Sequence, residues 1–477
     1  MTRTWSQLVA AACATDRPAV ASPTGGLTGH ELLQIAGGLR DWLHSLRPNP
    51  APAVPALLAD TGAAMALVLG GAQAQHPIAP LGTRLTVPEI AACIRSLGSD
   101  LLLVEPTHIE LGQEVAWAAG ARLAVVPDPL PRAAPGEPPD DPDATAWVLH
   151  TSGTTGAPKA VPYRQAAVAA RTRVYTSCVP LAPGDVFVAA GGFHHIAGSG
   201  NLAVALAAGA TIAQFPSFSV DAWRALAPLN VSHALLVPSM IEMLLSAGAL
   251  ALPHLRSVQY GAAPIHPETL HKMLETLPGV EVWQFFGQTE GSPICALSPD
   301  DHRKALAGHP QLLRSVGRAA PEVELRVEEM SPDGVGEICA RGPHLFLPDE
   351  DGWLRTGDLG RMDENGYVFL VGRKGDTINR GGENVRPLEV ETVVRSHPAV
   401  LDVAVIGVPD RRLGEEVAAY VVPRDGDALP DPDELREFAR ASLAGFKVPK
   451  YWTFVADLPR NSQGKVLRRV LRAEATL

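Results

Sequence analysis

The sequence has few cysteines and no clustered pair of them, which excludes several classes of protein. Five cysteines, Cys13, Cys93, Cys178, Cys295 and Cys339, are scattered through 477 residues without CxxC spacing. Neither a disulfide framework nor a cysteine-based metal site is expected, and reduced thiols in a cytoplasm fit this sparse set better. No arranged base can be identified near Cys178, which argues against a thiol nucleophile.

The chain also lacks a basic stripe and a long apolar run. Its net charge of −11 argues against nucleic acid as the main partner. The most apolar stretch, 61–74, is too short to cross a bilayer. The first residues are polar and soon broken by Asp16 and Pro18, unlike a signal peptide. We therefore expect a soluble cytoplasmic protein without membrane insertion, and the oligomeric state stays open, a homodimer included.

Apolar residues, by contrast, make up 46% of the chain, enough for large cores in more than one domain. In the first third, helical patterns alternate with short apolar runs, which predicts βαβ units around a parallel sheet. A stretch rich in proline and acid, 128–143, is expected to be an exposed connector. The predicted strands of this part are 54–59, 100–104, 146–149, 186–188, 234–237, 257–260 and 280–286, and the predicted helices are 62–74 and 87–97.

The pattern changes after about residue 310. Short β-rich runs separated by turns follow at 323–327, 336–340 and 366–370. Beyond Arg373 the pattern is α+β, with strands at 402–408 and 417–422 and a helix that begins at Asp431-Pro432. The fold class is thus α/β, with a large N-terminal part of parallel sheets and flanking helices, a β-rich subdomain and a small α+β C-terminal part.

The run LHTSGTTGAPKAV at 149–161 gathers hydroxyls and glycines and closes with a lysine. It leaves a predicted strand, and ligands of open α/β sheets commonly bind at strand ends. Gly153 and Gly156 let the backbone bend, and Lys159 adds a mobile positive charge, a combination that suits a polyphosphate. The spacing of a Walker P-loop is missing. The hydroxyl donors of the run are Thr151, Ser152, Thr154 and Thr155.

Further segments carry residues that suit nucleotide chemistry only in combination, since each alone is more often a turn or a solvated charge. In one of them, Phe286 offers a ring for stacking a base, Thr289 a hydroxyl donor and Glu290 an oxygen ligand for Mg²⁺. The segments are 193–198 (FHHIAG), 261–264 (GAAP), 284–290 (QFFGQTE), 353–358 (WLRTGD), 371–376 (VGRKGD), 379–384 (NRGGEN) and 459–465 (PRNSQGK).

Together these motifs closely resemble the superfamily of AMP-forming acyl-CoA synthetases, adenylation domains and firefly-type luciferases. The resemblance covers most of the chain, from about Val54 to Lys465. It implies that Lys465 reaches into the active site, that Thr289 contacts the α-phosphate, and that His195 borders the substrate carboxylate. The ATP or AMP site it implies comprises Thr151, Ser152, Gly153, Thr154, Thr155, Gly156, Lys159, Gly261, Ala262, Ala263, Phe285, Phe286, Gly287, Thr289, Asp358, Arg373 and Lys465.

The resemblance also implies further ligands. Asp358 takes the ribose hydroxyls and Arg373 the ribose and phosphate, while Glu290 and Thr154 hold Mg²⁺. The substrate acid lies against His195, Gly261 and Ala262, and the pantetheine arm of CoA against Gly381, Gly382 and Glu383. Ser199 and Gly200 are added to the predicted substrate site because they are small.

The family's hinge position falls at Gly375, so the expected domains are 1–374 and a mobile 375–477. This sequence departs from the family there, because Asp or Lys is usual, and at Phe286, where tyrosine is usual. A glycine still permits hinging but removes a side-chain contact. A phenylalanine keeps the stacking surface and loses a hydroxyl.

The predicted function is an AMP-forming ligase that activates a carboxylic acid with ATP and passes it to CoA. One alternative is an enzyme that loads the acyl group onto a carrier protein, and another is a non-catalytic nucleotide- or acyl-binding protein. The resemblance implies that members of the family that activate amino acids carry an aspartate downstream of Phe193 to hold the ammonium group. No acidic residue occurs in 194–209, which disfavours an α-amino acid. Small residues at Ser199, Gly200, Gly261 and Ala262 favour a bulky apolar acid: aryl, medium-chain or polycyclic.

Overall fold

The computed structural model describes residues 3–50, 53–59, 62–152, 158–215, 217–332, 334–346, 348–424, 429–460 and 466–475. The chain divides into two compact units. One comprises Met1–Glu324 and Ala340–Leu354, and the other comprises Leu325–Cys339 and Arg355–Leu477.

The first unit carries most of the helices. They are α1 (Trp5–Cys13), α2 (Gly29–Leu46), α3 (Gly62–Gln73), α4 (Val87–Ser96), α5 (Ile109–Ala119), α6 (Gln165–Cys178), α7 (Asn201–Ala207), α8 (Val220–Arg224), α9 (Pro238–Ser246), α10 (Pro267–Thr276) and α11 (Pro299–Leu306).

Fifteen strands belong to this unit among the described residues. They are β1 (Pro18–Ser22), β2 (Gly25–Thr28), β3 (Val54–Leu57), β4 (Ile78–Leu81), β5 (Leu101–Val104), β6 (Arg122–Val125), β7 (Thr145–Ser152), β8 (Pro158–Arg164), β9 (Val186–Ala189), β10 (Thr211–Ala213), β11 (His233–Leu236), β12 (Ser257–Gly261), β13 (Glu281–Gln288), β14 (Gly291–Leu297) and β15 (Arg318–Ala319).

These strands form two mixed sheets. One has nine strands in the order β15-β14-β13-β12-β11-β9-β10-β1-β2, and the other has six in the order β6-β5-β3-β4-β7-β8. The central pairs are parallel, and the antiparallel pairs lie at the sheet edges. The predicted parallel core is therefore present. Antiparallel strands are added where a short connection reverses the chain, as between β1 and β2, and β15 is added after the longer connection that contains α11.

Burial explains why the central strands read as continuous apolar runs. Every residue of β3, β4 and β5 is buried, as expected for parallel strands covered by helices on both faces. The helix α2 packs against the proline-rich connector, because a Cβ on Gly38 would lie 2.2 Å from the Pro131 carbonyl oxygen. The connector itself has no helix or strand, as predicted.

The second unit contains two sheets. A four-stranded sheet has the order β16-β17-β18-β19, and β21-β20-β23-β22 form another, with β24 paired to β23. Its strands are β16 (Glu324–Glu328), β17 (Gly336–Arg341), β18 (Leu354–Met362), β19 (Val368–Arg373), β20 (Ile378–Arg380), β21 (Glu383–Val385), β22 (Val400–Asp410), β23 (Gly414–Pro423) and β24 (Tyr451–Phe454); its helices are α12 (Pro387–Arg395), α13 (Pro432–Arg440) and α14 (Arg468–Glu474).

The predicted fold class is confirmed: an α/β protein with mixed sheets and a separate C-terminal domain. The helix predicted at Asp431 is also present, and the Asp431 side chain caps it by accepting a hydrogen bond from the backbone N–H of Asp433. The predicted domain boundary between 374 and 375 concerns motion and stays a prediction. Among the described residues, no helix has the length and apolar character needed to span a bilayer.

Candidate active site

Residues predicted to bind nucleotide or substrate lie where strands of the first unit end. Thr151 is near the end of β7, the segment 193–198 follows β9, Gly261 ends β12, and Phe285 to Gln288 end β13. Strands β9, β12 and β13 belong to one sheet and run parallel through β11. Their carboxyl ends therefore share one edge, where ligands of such sheets commonly bind.

The backbone of Thr289 and Glu290 is held from two sides. The Tyr163 hydroxyl, on β8 of the other sheet, donates a hydrogen bond to the Thr289 carbonyl. The backbone N–H of Phe346 donates to the Glu290 carbonyl at 2.7 Å. The two rings that flank these residues, Tyr163 and Phe346, have centroids 4.2 Å apart. This clamp fixes the position of the predicted phosphate and Mg²⁺ residues.

The predicted adenine segment lies next to β13. Gly261 pairs with Phe285 across β12 and β13, and a Cβ on Gly261 would lie 2.3 Å from the Phe285 carbonyl oxygen. Ala262 has a φ of 67°, a left-handed value that is uncommon without glycine. Phe285 itself is 7% exposed and packs against Tyr175 and Trp283. Its ring is thus part of the core, and nucleotide binding at Phe285, Phe286, Gly287, Ala262 and Ala263 stays a prediction.

A buried arginine joins the substrate segment to the strand after Glu290. Arg171 on α6 is 1% exposed. Its Nε donates to the Ser292 carbonyl at 2.7 Å, and its other nitrogens donate to the Gly200 carbonyl and to Asn201 Oδ1. Burial lowers the pKa of this guanidinium to about 10, so it remains charged near neutral pH. Neutral oxygens compensate that charge.

His194 and His195 lie at the start of the substrate segment. A Cβ on Gly82 or Gly192 would lie 2.9 Å or 2.7 Å from the His194 ring, which therefore packs between these two glycines. Burial lowers the pKa of His194 to about 4 and that of His195 well below its ordinary value, with His194 as a second cause. Both imidazoles are accordingly neutral at neutral pH, and a neutral His195 can border a carboxylate only as a hydrogen-bonding group.

Ser199 and Gly200 lie in a single π-helical turn, Ile196–Gly200, an irregularity that is frequent at functional sites. Ser199 is 2% exposed, and its hydroxyl donates to the His195 carbonyl at 3.2 Å. A Cβ on Gly200 would lie 2.8 Å from Ile196 Cγ1. Small residues are therefore required here by packing, whatever substrate they contact.

The second unit brings Asp358 and Arg373 together. They are directly paired across β18 and β19, and Arg373 Nε and Nη2 donate to the two carboxylate oxygens at 2.8 and 3.3 Å. Arg373 Nη2 also donates to the Thr356 carbonyl at 3.1 Å. The buried carboxylate of Glu337 accepts the Gly357 N–H at 3.1 Å and an ion pair from Lys374 at 3.2 Å. The predicted ribose ligands thus form one prearranged pair on a braced turn.

The predicted hinge and CoA residues follow in the same unit. Nothing lies within 4 Å of a Cβ built on Gly375, so its surroundings do not demand glycine. Gly381 and Gly382 form the loop between β20 and β21, with φ values of 63° and 92°, as a tight hairpin turn with two left-handed residues requires. The geometry of the turn is therefore sufficient to account for glycine at both positions. Glu383 is exposed beside them, and CoA binding here stays a prediction.

Several predicted residues lie outside the described residues: Gly153, Thr154, Thr155, Gly156 and Lys465, together with the side chain of Ser152. Of the same loop, Thr151 pairs with Lys159 across β7 and β8, and Lys159 is exposed.

The residues present suit a magnesium ion carried mainly by phosphates. Within the described residues, no three His, Cys, Asp or Glu side chains form a group that could hold a metal. Mg²⁺ usually binds proteins through one or two carboxylates, substrate phosphates and water. Glu290, half-buried on its clamped backbone, can supply one such carboxylate.

The cysteines are poorly suited to act as nucleophiles. All are free thiols and all are buried. Burial raises the pKa of Cys178 to about 11, so its reactive thiolate is scarce at neutral pH.

The sequence reasoning missed Tyr163 and Arg171, although one signal was available. Arg171 follows Val168 by three residues and precedes Tyr175 by four, so all three share one helix face. That face is buried. A charged residue on a buried face needs partners and often has a functional or organising role. Tyr163 has no comparable signal, because its partner is distant in sequence.

Known families and proteins match this chain over nearly its whole length. Residues 8–348 match the AMP-binding enzyme family, and residues 389–465 match the AMP-binding enzyme C-terminal domain. A fatty acid–[acyl-carrier-protein] ligase, ScoC of Streptomyces coeruleorubidus, is 33% identical over 85% of this chain and 83% of its own. The indoleacetate–CoA ligase of Aromatoleum aromaticum is 32% identical over 82% of both chains.

Solved structures of similar fold cover nearly the whole chain as well. The amide bond synthetase McbA from Marinactinospora thermotolerans superposes with a TM-score of 0.87, at 29% identity, over 99% of both chains. Structures with ATP bound are also among the matches. With both family domains present in order and relatives above 30% identity over most of the chain, the protein belongs to the AMP-binding enzymes, as an AMP-forming acid–thiol ligase.

Proposed function

We propose that this enzyme joins a hydrophobic carboxylic acid to CoA in two half-reactions at one site. In the first, a carboxylate oxygen attacks the α-phosphorus of ATP and the bond to the β-phosphate breaks. Pyrophosphate departs, and an acyl-adenylate is formed. In the second, the thiol of CoA attacks the acyl carbon, loses its proton, and displaces AMP. Charge develops on phosphoryl oxygens in the first step, so catalysis depends on positioning and electrostatics.

One observation carries this proposal. The Tyr163 hydroxyl and the Phe346 N–H fix the backbone at Thr289 and Glu290, in the turn between β13 and β14. Arg171 joins Ser292 of β14 to Gly200, in the turn that follows His195. A phosphate-binding group and a carboxylate-binding group held rigidly at one edge support adenylation, because a reaction between two bound substrates depends on their alignment.

Residues of this chain would divide the work as follows. Thr289 and Lys465 donate to phosphoryl oxygens, and Asp358 with Arg373 holds the ribose. Glu290 and Thr154 would hold Mg²⁺, which when bound would neutralise charge on the phosphates. Losing one well-aimed donor in such a site typically costs about 3–4 kcal/mol of barrier, which makes Lys465 the sharpest test.

Lys465→Ala should abolish acyl-adenylate formation and retain thioester formation from supplied acyl-adenylate. The reason is that Lys465 would act only before the C-terminal domain turns about Gly375 and presents Gly381 and Gly382 to CoA. Pyrophosphate release measures the first half-reaction, and AMP release from supplied adenylate plus CoA measures the second. Lys272→Ala, at an exposed position of α10, is the control. Equal loss of both half-reactions refutes the two-orientation mechanism.

A separate experiment must identify which molecule accepts the acyl group. The relatives' names include a CoA ligase, an acyl-carrier-protein ligase and an amide bond synthetase. Thioester formed with free CoA supports the proposal. Thioester formed only with a phosphopantetheinylated carrier protein supports the loading enzyme, and amide formed with added amines supports the third acceptor. A non-catalytic binding protein would release no pyrophosphate with any acid.

For the acid, we propose an aryl, medium-chain or polycyclic substrate rather than an α-amino acid. The segment after His195 contains no acidic residue to hold an ammonium group. Pyrophosphate release across aryl, fatty, terpenoid and amino acids tests this, and activity confined to amino acids would contradict it.

A further inference from the structure

A small internal cavity lies between the ends of two adjacent parallel strands of the first unit. It has a volume of about 20 Å³, room for roughly one water-sized group. Its lining comes from the residues after β9, the start of α7 and the residues after β10: Ala189, Ala190, Gly191, Leu202, Gln214, Phe215 and Phe218.

Gln214 is the one lining side chain with a hydrogen-bonding group. It is 5% exposed, and neither its Oε1 nor its Nε2 has a hydrogen-bond partner within the described part of the chain. Other buried glutamines of this unit are paired. Gln165 bonds to Ser6 through both atoms at 3.0 and 2.9 Å, and Gln259 bonds to Tyr175 and Ser257. A buried carboxamide without partners opposes folding, so its presence points to a role in binding.

The cavity adjoins the predicted substrate segment. A Cβ on Gly191, one of the lining residues, would lie 3.1 Å from Ala197 Cβ and from the Gly198 nitrogen. Ala197 and Gly198 belong to the π-helical turn that follows His195. An acid whose carboxylate lies at His195 and whose body runs along this turn would therefore bring its far end to Gln214.

We propose that Gln214 and this cavity form a specificity subsite for a hydrogen-bonding group, above all a hydroxyl, at the end of the acid remote from its carboxylate. This rests on the proposed function. The carboxamide offers both a donor and an acceptor, which match the acceptor and donor of one hydroxyl. The rings of Phe215 and Phe218, with centroids 6.2 Å apart, supply apolar walls beside the carboxamide. A site of this kind rejects the analogue that lacks the hydroxyl, because the carboxamide then stays unpaired.

Matched acids test the subsite in the full-length enzyme. The probes are 8-hydroxyoctanoic against octanoic acid and 4-hydroxycinnamic against cinnamic acid, with kcat/KM taken from pyrophosphate release. The wild type should prefer the hydroxylated member of at least one pair by tenfold or more. Gln214→Met, similar in length but without the amide, should erase that preference by losing activity on the hydroxylated acid alone. Gln214→Asn, with the amide drawn back by one methylene, should weaken it.

Thermal stability provides a second readout. Gln214→Met should keep or raise Tm by roughly 2 °C in the free enzyme, because no hydrogen bond is lost. Gln165→Met, which breaks the bonds to Ser6, should lower Tm and leave the acid preference unchanged.

Two results would overturn the assignment. One is a wild type without preference in either pair, and the other is a Gln214→Met enzyme with the wild-type preference. If that enzyme also has a lower Tm, Gln214 serves only an internal water. An enzyme that releases no pyrophosphate with any acid, over the whole panel, would instead refute the proposed function and the subsite together.

Discussion

At the scale of single residues, the most telling feature is that two predicted ligands of one substrate meet each other. The Asp358 carboxylate accepts hydrogen bonds from Arg373 through both its oxygens. The pair is partly exposed, with side-chain exposures of 13% for Asp358 and 40% for Arg373. A carboxylate so held is fixed in orientation before any nucleotide binds, which lowers the entropic cost of holding a ribose.

Asp358→Asn should therefore raise KM for ATP by at least tenfold, because a neutral amide neither orients Arg373 nor accepts twice from a diol. The free energy of unfolding should fall by only about 1–2 kcal/mol, since Arg373 keeps its bond to Thr356. Steady-state kinetics and urea unfolding measure the two effects. Asp363→Asn is the control, because Asp363 caps the other end of the same hairpin. A lower stability with an unchanged KM would make the pair purely structural.

A second residue, Arg171, should matter for stability more than any exposed arginine. Arg171→Met leaves the Gly200 and Ser292 carbonyls and the Asn201 side chain without their donor. Each buried group left unpaired costs about 1–3 kcal/mol, so a total loss of about 3 kcal/mol or more is expected. Urea unfolding monitored by circular dichroism would measure it.

The matched control lies on the same helix. Arg173 forms an exposed, bidentate pair with Glu322 at 2.7 Å, and Arg173→Met should cost about 1 kcal/mol or less. Comparable losses for the two variants would contradict the role given to burial.

At the scale of elements, the hairpin between β20 and β21 carries both a structural and a predicted functional role. Its loop residues Gly381 and Gly382 have left-handed φ values. The turn is further fixed by the Gly382 N–H, which donates to Asn379 Oδ1 at 3.0 Å, and by the Gly381 N–H, which donates to the Leu413 carbonyl at 2.7 Å. The same two glycines thus have a reason to be present without CoA.

Gly382→Ala separates the two roles. Nothing lies within 4 Å of the added Cβ, so the cost is the strain of a left-handed alanine, about 1 kcal/mol. If the turn passes the pantetheine arm, KM for CoA should rise several-fold while pyrophosphate release in the adenylation assay stays unchanged.

Gly366→Ala is the control for strain. Gly366 has a φ of 79° and equally open surroundings in the turn between β18 and β19. It should lose similar stability and keep the wild-type KM for CoA. If the Gly382→Ala enzyme behaves like Gly366→Ala, then Gly381 and Gly382 serve only to form the turn and do not contact CoA.

At the scale of the whole molecule, we expect buried histidines to lower the stability in acid. Burial lowers the pKa of His150, His194, His302 and His344 to about 4 in each case. Below pH 6.5 the unfolded chain binds protons on these side chains, whereas the folded protein does not until about pH 4. The unfolded state is therefore favoured progressively as pH falls through this window.

We expect Tm to decline between pH 6.5 and pH 4, as measured by differential scanning calorimetry. His302→Gln, which removes one such group from its contacts with Tyr260 and Ser298, should make that decline shallower whatever it does to Tm at pH 7. The same change at the exposed His271 should leave the slope as in the wild type. An unaltered slope in His302→Gln would show that other groups govern acid unfolding.

The fold class and the positions of most central elements follow from local sequence. Buried parallel strands need unbroken apolar runs, and helices need caps and a 3.6-residue period, so β3, β5, α4 and α13 could be predicted from local pattern. The set of motifs and their order along the chain also identified the family. Each motif alone is not specific, but together their residue types suit one chemistry.

Which of these residues contact one another depends on how the separate elements pack. The hydrogen bond between Tyr163 and Thr289 joins residues that are 126 positions apart, and the three partners of Arg171 lie on two different segments. Gln214 follows β10, whose sequence is that of an ordinary buried strand. That its carboxamide is buried without a partner among the described residues becomes apparent only when β9 and β10 lie side by side. Local pattern encodes which face of an element is buried, whereas partners across a sheet edge depend on how separate elements pack, which no short window of sequence contains.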